Sequence, residues 1–401
     1  MVFTTMGAVV LAAVATSTPT LSRSALIARV VDQNPRLRAS ASAEARARFA
    51  ADGADAWPDP MVAYRFSPPS IFDDRVRYGQ AIDVQQRIPW FGKRGQMEAA
   101  ARAEADGAKA STEALALDLA LETSRLFDEV AYVTRAESIF GQHVELLETL
   151  RATADARYAT GQALRQDVLR AEAALLHTRH RLIDLASQRA VLLARLDALM
   201  HRGPNAEALV LDGAPLAVLP GERSTAPELL RIDASLRMTS AQAESARLDY
   251  FPDLTVGGTY SSMWAQLSHR FMVGVGVQIP LALGRREAKE QEVAAEQQRL
   301  AEQRKAVEDD LAYALDAAST QMAAARRIVA LYDGELLGLA RERVAAAQSE
   351  LESGLGSFAG VIDAQRELLT LSLERHRAEA DMSIAAARAW RAAGMIPGAK
   401  E

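Results

Sequence analysis

Apolar and polar residues alternate along four short stretches of the chain. In Phe271 to Ile279, the residues Phe271, Val273, Val275, Val277 and Ile279 share one face, and Met272, Gly274, Gly276 and Gln278 share the other. That is the period of a half-buried strand. Tyr78, Ile82 and Val84 oppose Gly79, Ala81, Asp83 and Gln85 in the same manner, while Leu254, Val256, Gly258, Tyr260 and Val62, Tyr64, Phe66 repeat the pattern more weakly. Strands are predicted over about residues 60–66, 77–88, 253–262 and 270–280. Each approaches the ~9 to 11 residues with which a tilted strand crosses a bilayer.

Elsewhere the period is that of helices. Lys93 to Tyr158 contains no proline, and Leu119, Leu126, Val133, Phe140 and Leu147 recur every seven residues, the seam of a coiled coil. One helix over about 93–158 would run roughly 100 Å at 1.5 Å per residue. A returning helix over about 163–200 carries the seams Val168, Leu175, Leu182 and Leu185, Leu192, Leu199. A second pair is predicted over about 285–352, as one unbroken rod, and about 357–392. Gly161 and Gly354 sit where these helices must reverse, and glycine supplies the left-handed conformation a helix terminus favours. Rods of this length must lie side by side, as a bundle or as a tube wall.

The chain says the same thing twice. Pro58-Asp59-Pro60 matches Pro252-Asp253-Leu254, Pro89 to Gly92 matches Pro280 to Gly284, and "RYATGQALRQDVLRAEAALL" from Arg157 matches "ELESGLGSFAGVIDAQRELL" from Glu350. The expected organisation is a first repeat over 23–200, a linker over 201–227, rich in Pro and Gly with room for a small strand, a second repeat over 228–392, and a tail over 393–401. Each repeat supplies two strands and a long helical hairpin.

Composition narrows the class. The chain has 401 residues, 49% hydrophobic and 24% charged, with net charge −6. No basic tract appears, so nucleic acid is not an expected partner. There is no cysteine, which removes disulfides, thiolate metal sites and Cys nucleophiles. Residues 1–22 contain a short apolar run and the small residues Ala13-Val14-Ala15, read as a signal or targeting segment. No other segment approaches the ~18 to 20 apolar residues of a membrane helix. A membrane role must therefore fall to the strands, whose opposite face of Gly, Gln, Thr and Ser suits a water-filled lumen. Four strands cannot close a useful pore, so other protomers are needed.

The paired "IPWFGKRG" and "IPLALGRR" stops, the "YFPDLTVGGTY" segment and the tips "YATGQALRQDVL" and "LESGLGSFAGVIDAQREL" resemble the TolC-like outer membrane efflux family over about residues 24 to 392. The "PWFGKRG" wording looks most like its heavy-metal cation efflux branch. The resemblance implies a membrane α+β fold in which a homotrimer forms a twelve-stranded β-barrel on a helical tunnel. It also implies an outer-membrane location with a periplasmic extension, an inner-membrane RND-type pump and a periplasmic adaptor, and no catalysis.

The resemblance assigns sites residue by residue. The tunnel constriction falls at Gly360 and Asp363, so one of the family's two aspartates is retained, and Asp167 takes the position that braces the closed state. The family's usual Arg past the second tip is Gly356 here. A ring of Asp363 carboxylates would attract cations. Tyr158, Gly161, Gly354, Gly356 and Ser357 form the tips that face the adaptor. Pro89, Trp90, Phe91, Gly92, Pro280 and Gly284 are the joints of barrel to tunnel.

Lys93 and Arg94 are poorly placed against a helix N-terminal dipole and are expected at lipid headgroups or protomer contacts. Trp57, Tyr64, Trp90, Phe91, Tyr250, Phe251 and Trp264 at strand ends suit an aromatic belt or simple corner packing. His177 and His180, one turn apart, lack a visible third ligand, and no metal or cofactor is assigned. The other readings are an organic-solute duct of the same family and a soluble periplasmic coiled-coil scaffold, which leaves the four alternating strands without a purpose.

Overall fold

The computed structural model describes residues 20–67, 79–203, 209–221, 225–264 and 270–398. The expected signal segment and Tyr78 lie outside the described residues, apart from residues 20–22. Helix α1 (Arg23–Gln33) starts at Ser22, whose hydroxyl accepts from Ala25 N. Asn34 ends it and, accepting from Arg36 N, opens α2 (Pro35–Gly53) with a proline in the first turn, where a missing N–H costs nothing. Strands β1 (Met61–Ser67) and β2 (Gly79–Ile88) follow, then α3 (Lys93–Ala159) and α4 (Arg165–Leu199). The second half runs α5 (Pro227–Leu248), β3 (Asp253–Ser261), β4 (Phe271–Gln278), α6 (Leu283–Leu331), α7 (Leu337–Glu352) and α8 (Phe358–Ala392).

The rod expected over 285–352 is continuous from Leu283 to Glu352 but not regular. A five-residue π-turn, Tyr332–Leu336, separates α6 from α7. The π-turn is tied to α8: Tyr332 Oη donates to Glu374 Oε2 at 2.9 Å, and Arg375 donates to both oxygens of Asp333 at 3.0 and 3.1 Å.

The four strands form one antiparallel sheet in the order β1-β2-β3-β4. Val62 pairs with Val84, Ile82 with Tyr260 and Val256 with Val275. Residues paired across strands share a face, so Val62, Tyr64 and Phe66 stand beside Ile82 and Val84, then Val256 and Tyr260, then Phe271 to Val277. This apolar face is exposed from one edge to the other. The opposite face carries Gly79, Ala81, Asp83, Thr259, Gly257, Gly274 and Gly276. An apolar face left exposed opposite a polar one inverts the arrangement of a sheet folded on its own core. Strands β1 and β4 are both edges among the described residues, and an edge is a row of unpaired backbone groups.

The largest core lies away from the sheet, where Leu26, Val30, Leu119, Phe127, Leu196 and Met200 interlock among α1, α3 and α4. Of the α3 heptad, Leu119, Leu126, Val133 and Leu147 are buried. Residues 209–221 strap this region: Leu21 N donates to Val210 O at 2.8 Å and Asp212 N to Leu21 O at 3.1 Å. Beneath the strap, Arg23 forks onto Asp128 at 2.6 and 2.8 Å and also donates to Ser124 Oγ, Ala214 O and Ser383 Oγ. Burial pushes the Asp128 carboxyl up, and the hydrogen bonds from Arg23 and Ser383 draw it back only in part.

Candidate functional site: a channel wall, its joint and its tips

The inner face of the sheet is organised by charge. Asp83 is buried, accepting from Arg65 at 2.5 Å across β1 and from Thr259 Oγ1 at 2.6 Å across β3. Two residues on along each strand the face becomes glycine and glutamine, with Gly257 beside Gln85 and Gly274. The period-two pattern had placed Asp83 on this face; it could not reveal that Arg65 neutralises it.

At the end of the sheet, Pro89 halts β2, and Gly92 adopts φ 88° to start α3. A Cβ there would lie 3.3 Å from Leu248 Cδ1, so the turn needs glycine for both space and conformation. Lys93 and Arg94 form intrachain clamps, which corrects their expected assignment to headgroups or protomer contacts. Lys93 Nζ reaches Asp253 at 2.9 Å and Asp249 at 3.3 Å. Arg94 donates to Asp55 O at 2.6 Å and stacks over the Trp57 ring at 4.3 Å. Asp253 also accepts from Arg87 at 2.6 Å and from Trp90 N at 3.0 Å, a convergence of cations that outweighs the poor placement against the helix dipole. Trp90 lies flat on Phe251 at 5.2 Å, so these two aromatics join the corners of the two halves, while Phe91 stays 79% exposed. On the other side Arg286 donates to Asp249 O at 2.7 Å, between Pro280 and Gly284 and the same corner.

The tips meet each other. Gly161 and Gly354 have φ 73° and 76°, and Ala154, Leu351, Phe358 and Val361 form a small core between the hairpins, with Val168 against it. Arg157 donates to Leu351 O at 3.1 Å and lies over Phe358 at 5.7 Å. This clasp was missed in the sequence because the match pairs Arg157 with Glu350 and gives no sign of contact. Ser357 caps α8 by accepting from Gly360 N at 3.2 Å. Tyr158 is exposed. Asp167 accepts from Leu164 N at 3.3 Å in its own first turn, and Asp363, exposed on α8, lies 3.9 Å from Arg366.

The glycine at 356 has a local cause. A Cβ there would meet Glu350 Cβ at 2.8 Å and Leu351 N at 2.9 Å, so the turn excludes any side chain. Gly356→Arg is expected to cost about 1–3 kcal/mol by overpacking. Limited chymotrypsin cleavage at Leu355 and Phe358 should accelerate in that variant; an unchanged rate would mean the turn relaxes freely.

His177 and His180 remain on the exposed side of α4, with His180 3.7 Å from Asp184. Among the described residues no three His, Cys, Asp or Glu side chains converge as a metal requires, and no helix is long and apolar enough to cross a membrane.

The fold is similar to that of solved outer-membrane channels. OprN superposes with TM-score 0.81 at 17% identity, covering 93% of this chain and 89% of that one. CusC gives 0.79 at 16%, covering 93% and 92%, and VceC of Vibrio cholerae gives 0.78 at 17%, covering 93% and 96%. Residues 219–394 match the family described as Outer membrane efflux protein. No curated protein matches the sequence.

Proposed function

We propose that this chain is the passive exit duct of a tripartite efflux system in the outer membrane of a Gram-negative bacterium. The observation that carries this reading is the sheet, whose apolar face is exposed across all four strands while its opposite face is polar and holds the buried Asp83 paired to Arg65. Water rejects that arrangement and lipid favours it. Open edges in lipid cost several kcal/mol for each unpaired group, which favours closure by further copies. Two copies give eight strands and a filled interior, whereas three give twelve and room for passage. The helical hairpins then extend the barrel as a tunnel, with the tips at Tyr158, Gly161, Gly354, Gly356 and Ser357 presented to an adaptor below, and an RND-type pump supplying the energy. A soluble scaffold is the weaker reading, since it leaves this exposed apolar sheet in water. The expressed protein should partition to the outer-membrane fraction and migrate as a trimer in mild detergent. Recovery as a soluble monomer would refute the channel.

Heavy-metal cations are the cargo we favour, on the "PWFGKRG" joint and the acidic constriction. Three Asp363 side chains, with Gly360 and Asp167 nearby along the hairpins, would form the cation-attracting ring. Each carboxylate is worth about 1 kcal/mol to a cation a few Å away in water, so Asp363→Ala should weaken block by La³⁺ in planar bilayers by roughly tenfold or more. Unaltered conductance and block would remove Asp363 from the constriction.

A further inference from the structure

A cavity of about 400 Å³ opens where α8 is flanked by α3 on one side and by the π-turn and α7 on the other. That is the scale of a small-molecule site. Its apolar wall is Ile139, Leu146, Leu337 and Leu368. Among its polar groups, His143 comes from α3, Arg341 from α7 and Gln365 from α8, with Gln142, Asp333, Ser372, Arg375 and His376 around them.

Those three are uncommitted. Gln365 is only 8% exposed, and among the described residues its side-chain amide makes no hydrogen bond and lines the open cavity. His143 also has no hydrogen-bond partner among them. Burial and then the Arg366 charge hold its pKa below the usual histidine value, so near neutral pH the uncharged ring offers one donor and one acceptor. Arg341 makes no close ion pair among the described residues; its charge acts only at longer range, on Asp333. The nearby acid is taken, because Asp333 is engaged by Arg375, which also holds Glu379 at 2.6 Å. What remains open is one positive charge, a buried amide and an imidazole beside an apolar wall.

We propose that this groove binds a small organic anion: a carboxylate held by Arg341 and Gln365, on an aromatic or aliphatic body resting against Ile139, Leu146 and Leu337. The guanidinium matches a carboxylate in geometry and charge. The site lies within one protomer and does not depend on the cargo of the channel.

Saturation-transfer NMR titration of the full-length protein in lipid nanodiscs tests it, with indole-3-acetate as probe and indole-3-acetamide as its neutral counterpart. Saturable binding of the acid is expected, with the amide roughly tenfold weaker, the factor that one charge-assisted hydrogen bond supplies. Arg341→Gln should weaken the acid by a similar factor and abolish the preference over the amide. Since Arg341 is exposed, this variant should keep wild-type oligomer migration, and Gln365→Leu provides a second, independent loss. Absence of saturable binding, equal affinity for acid and amide, or an Arg341→Gln variant that binds as wild type would each overturn the site.

Discussion

Val275→Arg should abolish assembly of the proposed barrel in the outer membrane. Val275 lies mid-strand in β4, paired with Val256, and is 69% exposed on the apolar face. In the proposed barrel it meets lipid near the midplane, where an arginine costs about 2–4 kcal/mol per copy. Three copies would lose roughly 6–12 kcal/mol, comparable with the entire stability of a typical domain. Gly274→Ser is the control. It is the neighbouring residue on the opposite face, and a Cβ there meets no atom within 4 Å, so a hydroxyl would project into the lumen at little cost. Membrane fractionation with heat-modified electrophoresis should show Val275→Arg lost and Gly274→Ser assembled. The reverse outcome would exchange the two faces, and equal assembly of both would mean that the sheet does not sit in lipid.

Asp128→Ala should destabilise the helical region by about 3–5 kcal/mol, the cost of leaving a buried charge unpaired. The abandoned group is Arg23, whose guanidinium also tethers Ser124, Ser383 and the strap at Ala214, and which lies over Phe127 at 4.6 Å. With the carboxylate gone, α1, the strap and α8 lose their shared anchor on α3. Thermal unfolding followed by circular dichroism should show the drop, with early proteolysis of the strap. The double variant Arg23→Met, Asp128→Leu should recover most of the loss, because apolar replacement of a buried pair is often neutral or better. A wild-type melting temperature for Asp128→Ala would show that water enters and solvates Arg23, and that the clamp contributes little.

Much of the candidate site was legible, and the gaps have one cause. The strand face of Phe271, Val273, Val275 and Val277 and the turns at Gly161 and Gly354 follow from local periodicity and local dihedral preference. The stops at Pro89 and Pro280 follow from a missing N–H. Lys93 and Arg94 were misjudged because their partners Asp253, Asp249 and Asp55 are near in space and, for the first two, more than 150 residues away in sequence. The π-turn was missed too: nothing in "YDGEL" departs from helical pattern, and Glu374 and Arg375 are beside it only in space.

The sequence by itself therefore determined which segments are strands and which are rods, where each stops, and that one sheet face is apolar. Those properties are set by neighbours within about one helical turn or two strand residues. Only the tertiary structure decided that Arg65 cancels Asp83, that Arg157 clasps the second hairpin, that Gly356 admits no side chain, and that Gln365 and Arg341 are left without partners. Each depends on which distant atoms arrive at a point in space, and charge and hydrogen bonding weaken so steeply with distance and angle that no pattern of residue types substitutes for position.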